Sequence, residues 1–320
     1  MNIVFFGTPD FAAEVLQGLI RTGHKPVLCV SQPDKPQGRK QIIKPTPVHE
    51  VANEYGIDLI QPRKIKTDEF YEKIKSYEPD FIVTAAYGRI LPDRILSLAK
   101  YEAVNVHGSL LPKYRGASPV QASLLAGDKL TGISVLRMTA ELDAGPVFST
   151  AEFEIPDLMR SDELMLELAK IGADLLPGTL DGIYNGDIKP IPQDDIQATF
   201  CGLIDKEMGQ IDWNQPAHQI EAQVRGLYPW PGAYTYEKGN RIKIHLAKAY
   251  SIDDCSNLPN NYDELNNGTV VSLANKSIWV KTASGVLQIL EVQKANSKAM
   301  QTSSNYHNYN VAEDIFTNEP

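Results

Sequence analysis

The sequence predicts an α/β fold in which a doubly wound, mainly parallel sheet precedes a smaller β-barrel domain. Three patterns support this prediction. Short apolar runs alternate with amphipathic segments through the first half of the chain, which is typical of βαβ units. Residues 185–200 are polar and rich in proline, as expected for a linker. Five short β-like runs follow Trp213, and their number and spacing favour a small barrel.

The chain begins with a βαβ pattern. Residues 3–6 are apolar, residues 11–20 carry apolar side chains at helical spacing, and residues 27–30 are apolar again. Thr8 is predicted to cap the helix, with a proline at its first position and Gly23 at its end. The turn after the first strand lacks the glycine spacing of a dinucleotide-binding fold, so NAD is not expected as a cofactor.

The remaining elements follow the same patterns. Further strands are predicted at residues 58–61, 81–85, 103–107, 132–138 and 147–153, and helices at residues 67–77 and 162–184. After one helix at residues 217–225, the β-like runs are residues 232–236, 241–249, 269–273, 277–282 and 286–292. We predict a catalytic domain over residues 1–188, a linker over 189–204 and a C-terminal domain over 205–320. Residues 303–310 are polar and rich in asparagine and are expected to fray, and the tail from Gln301 to Pro320 is expected to be partly disordered.

Composition limits the possible functions. The 320 residues are 42% hydrophobic, enough for a substantial core, and no run of about 18 apolar residues is present. We therefore expect a cytoplasmic protein. The net charge of −9 argues against broad attraction to nucleic acid, so any basic contact surface must be local. The three cysteines are scattered and are expected to be buried or inert.

Two polar residues stand at the end of the predicted strand 103–107. Asn105 and His107 are two residues apart, so their side chains project from the same face. An amide donor beside a titratable imidazole, followed by a glycine turn, suits chemistry on a carbonyl group. Asp143 lies between the next two predicted strands and can supply the carboxylate of an acyl-transfer site.

Each of these residues also has a purely structural interpretation. Taken alone, Asp143 is more typical of a turn residue, His107 of a packed histidine and Asn105 of a strand-edge amide. A metal site at His107 is disfavoured because no second histidine, cysteine or carboxylate stands at ligand spacing. Ser109 lies outside any nucleophile elbow and is expected to hold a ligand or the backbone.

A basic, proline-rich segment follows the strand at residues 27–30. Its basic residues are Lys35, Arg39, Lys40 and Lys44. Charge alone is equally consistent with a solvated loop that has no partner. Loops that follow parallel strands lie at the C-terminal edge of the sheet, so we expect this long basic loop to lie beside the candidate site and to contact phosphates.

These residues resemble the formyltransferases that use 10-formyltetrahydrofolate. The shared motif is an Asn-x-His pair followed by Ser-Leu-Leu-Pro and later by an Asp-containing loop, here residues 105–112 and 142–145. Three further stretches are similar to the branch of that family that acts on methionyl-initiator-tRNA. They are residues 7–11, 32–40 and 224–234. The resemblance extends over nearly the whole chain.

The resemblance implies roles for individual residues. Asn105, His107 and Asp143 would be the catalytic trio. The folate co-substrate would be bordered by Ser109, Leu110, Leu111 and Pro112, and on its pterin side by Tyr87, Gly88, Arg89, Ile90 and Leu91. Phe11 would lie near the methionine side chain, and the charged tRNA would contact Lys35, Arg39, Lys40 and Lys44. The family also implies a Rossmann-like catalytic domain and an OB-like C-terminal domain that binds tRNA.

The expected reaction is formyl transfer from 10-formyltetrahydrofolate to the α-amino group of charged initiator tRNA. Asn105 would donate to the oxyanion and His107 would add a second donor. Asp143 would either set the tautomer of His107 or take the proton of the amine. We expect a monomer without a metal. A formyltransferase or hydrolase acting on a small molecule, such as an amino sugar or 10-formyltetrahydrofolate itself, is the alternative.

Overall fold

The computed structural model describes residues 1–37, 42–255 and 258–319. Its helices are α1 Asp10–Arg21, α2 Pro47–Glu54, α3 Asp68–Lys75, α4 Asp93–Leu96, α5 Pro119–Leu125, α6 Ser161–Asn185 and α7 Ala217–Gly226. The strands of the first part are β1 Ile3–Gly7, β2 Leu28–Val30, β3 Lys35–Gln37, β4 Ile42–Lys44, β5 Asp58–Ile60, β6 Phe81–Ala85, β7 Glu102–His107, β8 Arg115–Gly116, β9 Leu130–Arg137, β10 Val147–Glu154 and β11 Phe200–Cys201. The later strands are β12 Ala233–Glu237, β13 Asn240–Tyr250, β14 Val270–Ser272, β15 Ile278–Lys281, β16 Val286–Lys294, β17 Met300–Gln301 and β18 Phe316–Thr317.

The chain divides into two compact units. The first comprises Met1–Pro119, Leu130–Glu154 and Met165–Cys201. The second comprises Val120–Lys129, Ile155–Leu164 and Gly202–Pro320, of which residues up to 319 are described. No helix in the described ranges has the length and apolar character needed to cross a membrane.

The first unit contains a seven-stranded sheet in the order β10-β9-β7-β6-β1-β2-β5. The strands β1, β2, β5, β6 and β7 are parallel, whereas β9 runs antiparallel to β7, and β10 runs antiparallel to β9 at the sheet edge. Ile3, Val4, Phe5 and Phe6 of β1 are fully buried, as expected for a strand covered on both faces. The predicted doubly wound, mainly parallel sheet is therefore confirmed.

The first helix differs from its prediction at its N-terminus. Pro9, not Thr8, is the N-cap residue of α1, and it makes no side-chain capping bond. The Thr8 hydroxyl instead donates to the carbonyl oxygen of Tyr87 at 3.2 Å. The one proton of the Thr8 hydroxyl is used in this bond, which connects the turn after β1 to the loop after β6.

The basic segment is more regular than the predicted long loop. Its described ends form a hairpin in which β3 pairs antiparallel with β4, and Lys35 lies opposite Lys44. The helix α2 follows at once, with Thr46 as its N-cap, accepting a hydrogen bond from the His49 amide at 3.2 Å. Neither the hairpin nor α2 is predicted from the sequence, because prolines and charged residues interrupt their short apolar patterns.

The predicted linker, residues 189–204, packs against the first unit as far as Cys201. Ile191 and Val147 exchange two backbone hydrogen bonds of 2.8 Å. The strand β11 pairs parallel with β8, which places Phe200 opposite Arg115. The segment thus contributes structure to the first unit, and the domain limits at residues 188 and 205 stay a prediction.

The second unit is built on a curled antiparallel sheet in the order β14-β15-β16-β13-β12-β18, with β17 paired to β16. Bulges in β13 near Leu246 bend the long strand, and α7 lies against it. The core contains Trp213, Ile220, Ile244 and Leu287 among others, all nearly inaccessible to solvent. The predicted small barrel-like domain is confirmed.

Residues 301–319 pack against the second unit, so the expectation that the tail frays is wrong for this described part of it. Tyr309 and Phe316 are only 3% and 2% exposed and belong to the core. The strand β18 pairs with β12, while backbone bonds of 2.8 Å join Val270 to Asp314 and Ala312. The tail therefore bridges the two edges of the sheet. Its polar residues alternate with a few large apolar anchors, which is why composition alone suggests disorder.

Candidate active site

The strand β7 carries two of the predicted site residues to its C-terminal end. Asn105 is partly buried and His107 is 5% exposed. Thr84 of the neighbouring β6 lies opposite Asn105 in the parallel register. The Thr84 hydroxyl donates to Asn105 Oδ1 at 2.7 Å. Because Oδ1 accepts this bond, the amide group Nδ2 of Asn105 points away from β6.

The third residue, Asp143, lies in the loop between β9 and β10. Its carboxylate is only 8% exposed. Asn105 Nδ2 donates to Asp143 Oδ1 at 3.3 Å, and the Gly116 amide donates to Asp143 Oδ2 at 2.9 Å. His107 Nδ1 lies 3.5 Å from the same Oδ2. The structure therefore brings together all three residues that the sequence singles out.

His107 is enclosed by the protein on both sides of its ring. Its Nε2 lies 3.0 Å from the carbonyl oxygen of Tyr114, which can only accept a hydrogen bond. Burial lowers the pKa of His107 below its ordinary 6.5, while the Asp143 carboxylate and the Tyr114 carbonyl act in the opposite direction. The neutral ring then keeps its proton on Nε2. Its Nδ1 is left as an acceptor beside Asp143.

The Ser109 to Pro112 segment forms a tight turn below the strand end. The Ser109 hydroxyl is fully buried and donates to the Lys113 carbonyl at 2.6 Å, so it holds the backbone. The Ser134 hydroxyl supports the same turn by donating to the Ser109 carbonyl at 2.7 Å. Leu110, Leu111 and Pro112 are half-buried. The last two line a cavity of about 280 Å³ together with Phe148, Ile191, Gln193 and Asp194.

The segment from Tyr87 to Leu91 has two kinds of side chain. Tyr87 and Leu91 are buried in the core, where the Tyr87 ring meets Phe6 edge to face at 5.3 Å. Gly88 has a φ of +80°, and Ile90 is 72% exposed. The Arg89 guanidinium donates to the carbonyls of Pro62 and Arg63 at 3.1 Å. The backbone and Ile90 are thus the parts open to a ligand.

Three of the five residues predicted to contact the tRNA or its methionine are among the described residues. Phe11 is 6% exposed, on the buried face of α1. Lys35 and Lys44 are exposed on the hairpin. Arg39 and Lys40 lie outside the described residues.

Several contributing residues are missing from the candidate site that the sequence predicts. Thr84 orients Asn105, and the Gly116 amide binds Asp143. Gln193, from the predicted linker, donates to the carbonyls of Asp143 and Gly145 at 2.7 and 2.6 Å. Position at the end of β6 could have indicated Thr84, because neighbouring parallel strands end at the same sheet edge. No local pattern marks Gln193.

This arrangement provides a donor, a buried imidazole and a carboxylate at one edge of the sheet. The amide of Asn105 can stabilise negative charge on an oxygen, and the carboxylate of Asp143 can accept a proton. Within the described ranges, no three His, Cys, Asp or Glu side chains are placed to hold a metal ion. The chemistry that this set supports is acyl transfer to a nucleophile that must lose a proton.

Two family models match most of the chain. A formyl transferase model matches residues 1–180, and a model of the formyl transferase C-terminal domain matches residues 203–310. The chain is 42% identical over 301 residues to a methionyl-tRNA formyltransferase of Ruminiclostridium cellulolyticum, covering 94% of each protein. It is 41% identical over 313 residues to the methionyl-tRNA formyltransferase of Caldicellulosiruptor saccharolyticus, covering 97% of this chain and 98% of that one.

Solved structures share the fold at lower identity. HypX from Aquifex aeolicus in complex with tetrahydrofolic acid superposes with a TM-score of 0.59 at 17% identity, over 95% of this chain. The chain spans about half of HypX, 46% of its length. An N-formyltransferase from Helicobacter canadensis, in complex with folinic acid and dTDP-3-aminofucose, gives a TM-score of 0.64 at 15% identity, over 92% of this chain and 99% of that one.

Proposed function

The chain belongs to the methionyl-tRNA formyltransferases of the formyl transferase family, and we propose that Asn105, His107 and Asp143 are its catalytic residues. Its reaction is transfer of the formyl group of 10-formyltetrahydrofolate to the α-amino group of methionyl-initiator-tRNA. The observation that supports the proposed trio is that both other residues approach the Asp143 carboxylate. It lies 3.3 Å from Asn105 Nδ2 and 3.5 Å from His107 Nδ1.

Asn105 acts as the donor to the formyl oxygen. Negative charge grows on that oxygen as the amine attacks, and a fixed amide donor stabilises the charge without having to reorient. Removal of such a donor typically lowers the rate by roughly 10² to 10³. Thr84 supports this role, because its bond to Oδ1 leaves Nδ2 as the group that faces the reacting atoms.

Asp143 takes the proton that the attacking amine must lose. Two observations favour this role over that of setting the tautomer of His107. The Tyr114 carbonyl already binds His107 Nε2, and the distance of 3.5 Å from Nδ1 to Asp143 is longer than a hydrogen bond. The neutral Nδ1 can share the proton once Asp143 has accepted it. The proton passes to N10 of the co-substrate as the bond between N10 and the formyl carbon breaks, which releases tetrahydrofolate. General base help of this kind contributes roughly 10² to 10⁴ in rate.

The folate co-substrate lies along the segments that flank the trio. The half-buried Leu110, Leu111 and Pro112 and the exposed Ile90 offer apolar surface. Gly88 and its neighbours offer backbone groups to the polar edge of a ring. Apolar walls with a few backbone groups are the combination that a flat heteroaromatic ligand requires, so these residues fit a pterin. When bound, this co-substrate supplies the formyl group.

The tRNA is held by a local basic surface rather than by net charge. Lys35 and Lys44 stand opposite each other at the base of the hairpin, and Arg39 and Lys40 follow from the sequence resemblance. Phe11 is proposed to border the methionine side chain. We further propose a monomer in the cytoplasm, with residues 1–188 as catalytic domain and residues 205–320 as the domain that assists tRNA binding.

Formyl transfer with alternative acceptors tests the assignment. Methionyl-initiator-tRNA should be formylated, whereas uncharged tRNA, free methionine and a nucleotide-linked amino sugar should not be. Formylation of the amino sugar, or hydrolysis of the formyl donor without an acceptor, would indicate the small-molecule alternative. A loss of at least about a hundredfold in kcat on Asp143→Asn would support the catalytic role of that carboxylate.

A further inference from the structure

The loop that carries Asp143 makes a tight turn with a left-handed backbone conformation at Asp143. Asp143 has a φ of +54°, in the left-handed region, which residues with a side chain adopt only occasionally. Two residues later, a Cβ added at Gly145 would overlap the carbonyl oxygen of Arg137. The loop is therefore pressed against the end of β9, and contacts on its other side must keep its shape.

Gln193 supplies those contacts. Its side-chain Nε2 donates to the Asp143 carbonyl at 2.7 Å and to the Gly145 carbonyl at 2.6 Å. An amide nitrogen carries two protons, so both are used on this one turn. The two carbonyls flank Ala144, and a single side chain thus fixes the backbone on either side of the turn.

Arg115 fixes the orientation of Gln193. The Arg115 Nε donates to Gln193 Oε1 at 3.0 Å, so Nε2 must face the loop. The Arg115 side chain is 6% exposed, and its Nη2 also binds Asp195 at 2.7 Å. The next residue, Gly116, donates its amide to the Asp143 carboxylate at 2.9 Å. Strand β8 therefore supports the backbone and the carboxylate of Asp143 at once.

The polar stretch that carries Gln193 is itself anchored. Val147 and Ile191 exchange two backbone bonds of 2.8 Å, just beyond Gly145 and just before Gln193. A side chain on an anchored backbone can hold another group within a few tenths of an ångström.

We infer that Gln193 is a positioning residue for the reaction, which sets the place of the Asp143 carboxylate through the backbone of its loop. This inference rests on the proposed role of Asp143 as the proton acceptor. The side-chain hydrogen bonds of Gln193 go to Arg115 and to the backbone carbonyls of Asp143 and Gly145, so it acts through the loop. Misplacement of a catalytic group by about 1 Å can cost around a hundredfold in rate, so the effect should be in kcat.

The test compares two substitutions of Gln193. Gln193→Met preserves the length of the side chain but removes all of its hydrogen bonds. Gln193→Glu keeps an acceptor for Arg115 but places a carboxylate against two carbonyl oxygens. We expect each to lower kcat by roughly 10- to 100-fold, with both KM values changed by less than about twofold. Gln197→Met is the matched control, because Gln197 is exposed and donates to Asp194 within its own turn.

A double variant separates positioning from a general structural role. If Gln193 acts through Asp143, Gln193→Met should cause no further loss of kcat in the Asp143→Asn background. A native kcat in Gln193→Met, or an equal loss in both backgrounds, would overturn the inference. So would failure of both Gln193 variants to fold, or raised KM values for both substrates with unchanged kcat. If Asp143→Asn alone kept native kcat, the proposed role of Asp143 would fail instead.

Discussion

The hydroxyl of Thr84 donates a 2.7 Å hydrogen bond to Oδ1 of Asn105 across two parallel strands. This bond decides which end of the Asn105 amide faces the site. With Oδ1 occupied, Nδ2 points at Asp143 and is available as a donor to a reacting oxygen. Thr84, buried on the neighbouring strand, therefore determines that Asn105 presents a hydrogen-bond donor to the candidate active site.

Thr84→Val should lower kcat by about tenfold, less than the roughly 10² to 10³ expected for loss of the donor itself. The amide remains, but its orientation is no longer fixed. Steady-state formylation kinetics measure the effect. Thr131→Val is the matched control, since Thr131 is 2% exposed and its hydroxyl has no hydrogen-bond partner within the described part of the chain. An equal effect of both substitutions would rule out an orienting role for Thr84.

Asp143→Asn should lower kcat by roughly 10² to 10⁴ while both substrates still bind. The substituted amide keeps the size of the side chain but cannot accept the proton of the amine. Single-turnover formylation at saturating substrates isolates this step. Asp174→Asn, at an exposed residue of α6, serves as control. Near-native turnover in Asp143→Asn would show that another group takes the proton.

His107 should titrate below its ordinary value of 6.5, because burial disfavours the imidazolium. Unfolded His107 takes up a proton near that pH while the folded residue resists it. The stability that burial of the neutral ring contributes is therefore complete above pH 6.5 and is lost as the pH falls. Histidine side-chain NMR, with His107→Gln for assignment, measures the midpoint. A midpoint above 6.5 would mean that the contacts with Asp143 and Tyr114 outweigh burial.

Arg39→Ala should raise the KM for methionyl-tRNA much more than the KM for the formyl donor. The proposed contact is with a phosphate of the tRNA, a group that the folate co-substrate lacks. Loss of one contact should also reduce the slope of log affinity against log salt by about one. Filter binding at several salt concentrations measures this slope. Lys100→Ala, outside the hairpin, is the control, and equal increases in both KM values would contradict the proposed contact.

Phe316→Ala should destabilise the second unit by roughly 3–5 kcal/mol, because it removes a buried aromatic ring. The ring lies 5.9 Å from both Trp213 and Tyr309. Denaturant unfolding followed by tryptophan fluorescence reports on this neighbourhood. Val311→Ala, at a residue that is 39% exposed, should change stability little. Little loss from Phe316→Ala would mean that the tail contributes little to the core.

Periodicity in the sequence determined the positions of most helices and strands. The buried strand β1 reads as an apolar run and α1 as an apolar stripe, because side-chain spacing follows backbone geometry directly. Asn105 and His107 could be placed on one face for the same reason. The short β18 could not be predicted, since it pairs with the distant β12. The strands β3 and β4 pair with each other, but prolines and charged residues interrupt their short patterns.

The sequence by itself determined which residue types are available for chemistry: an Asn-x-His pair at a strand end and an aspartate in a later loop. Only the tertiary structure decided how they are held. Thr84 is 21 residues from Asn105, Gln193 is 50 residues from Asp143, and both contacts join separate elements. Hydrogen bonds between distant segments leave no periodic signal along the chain. They exist only because the sheet and the segment before Cys201 bring those side chains within about 3 Å of each other.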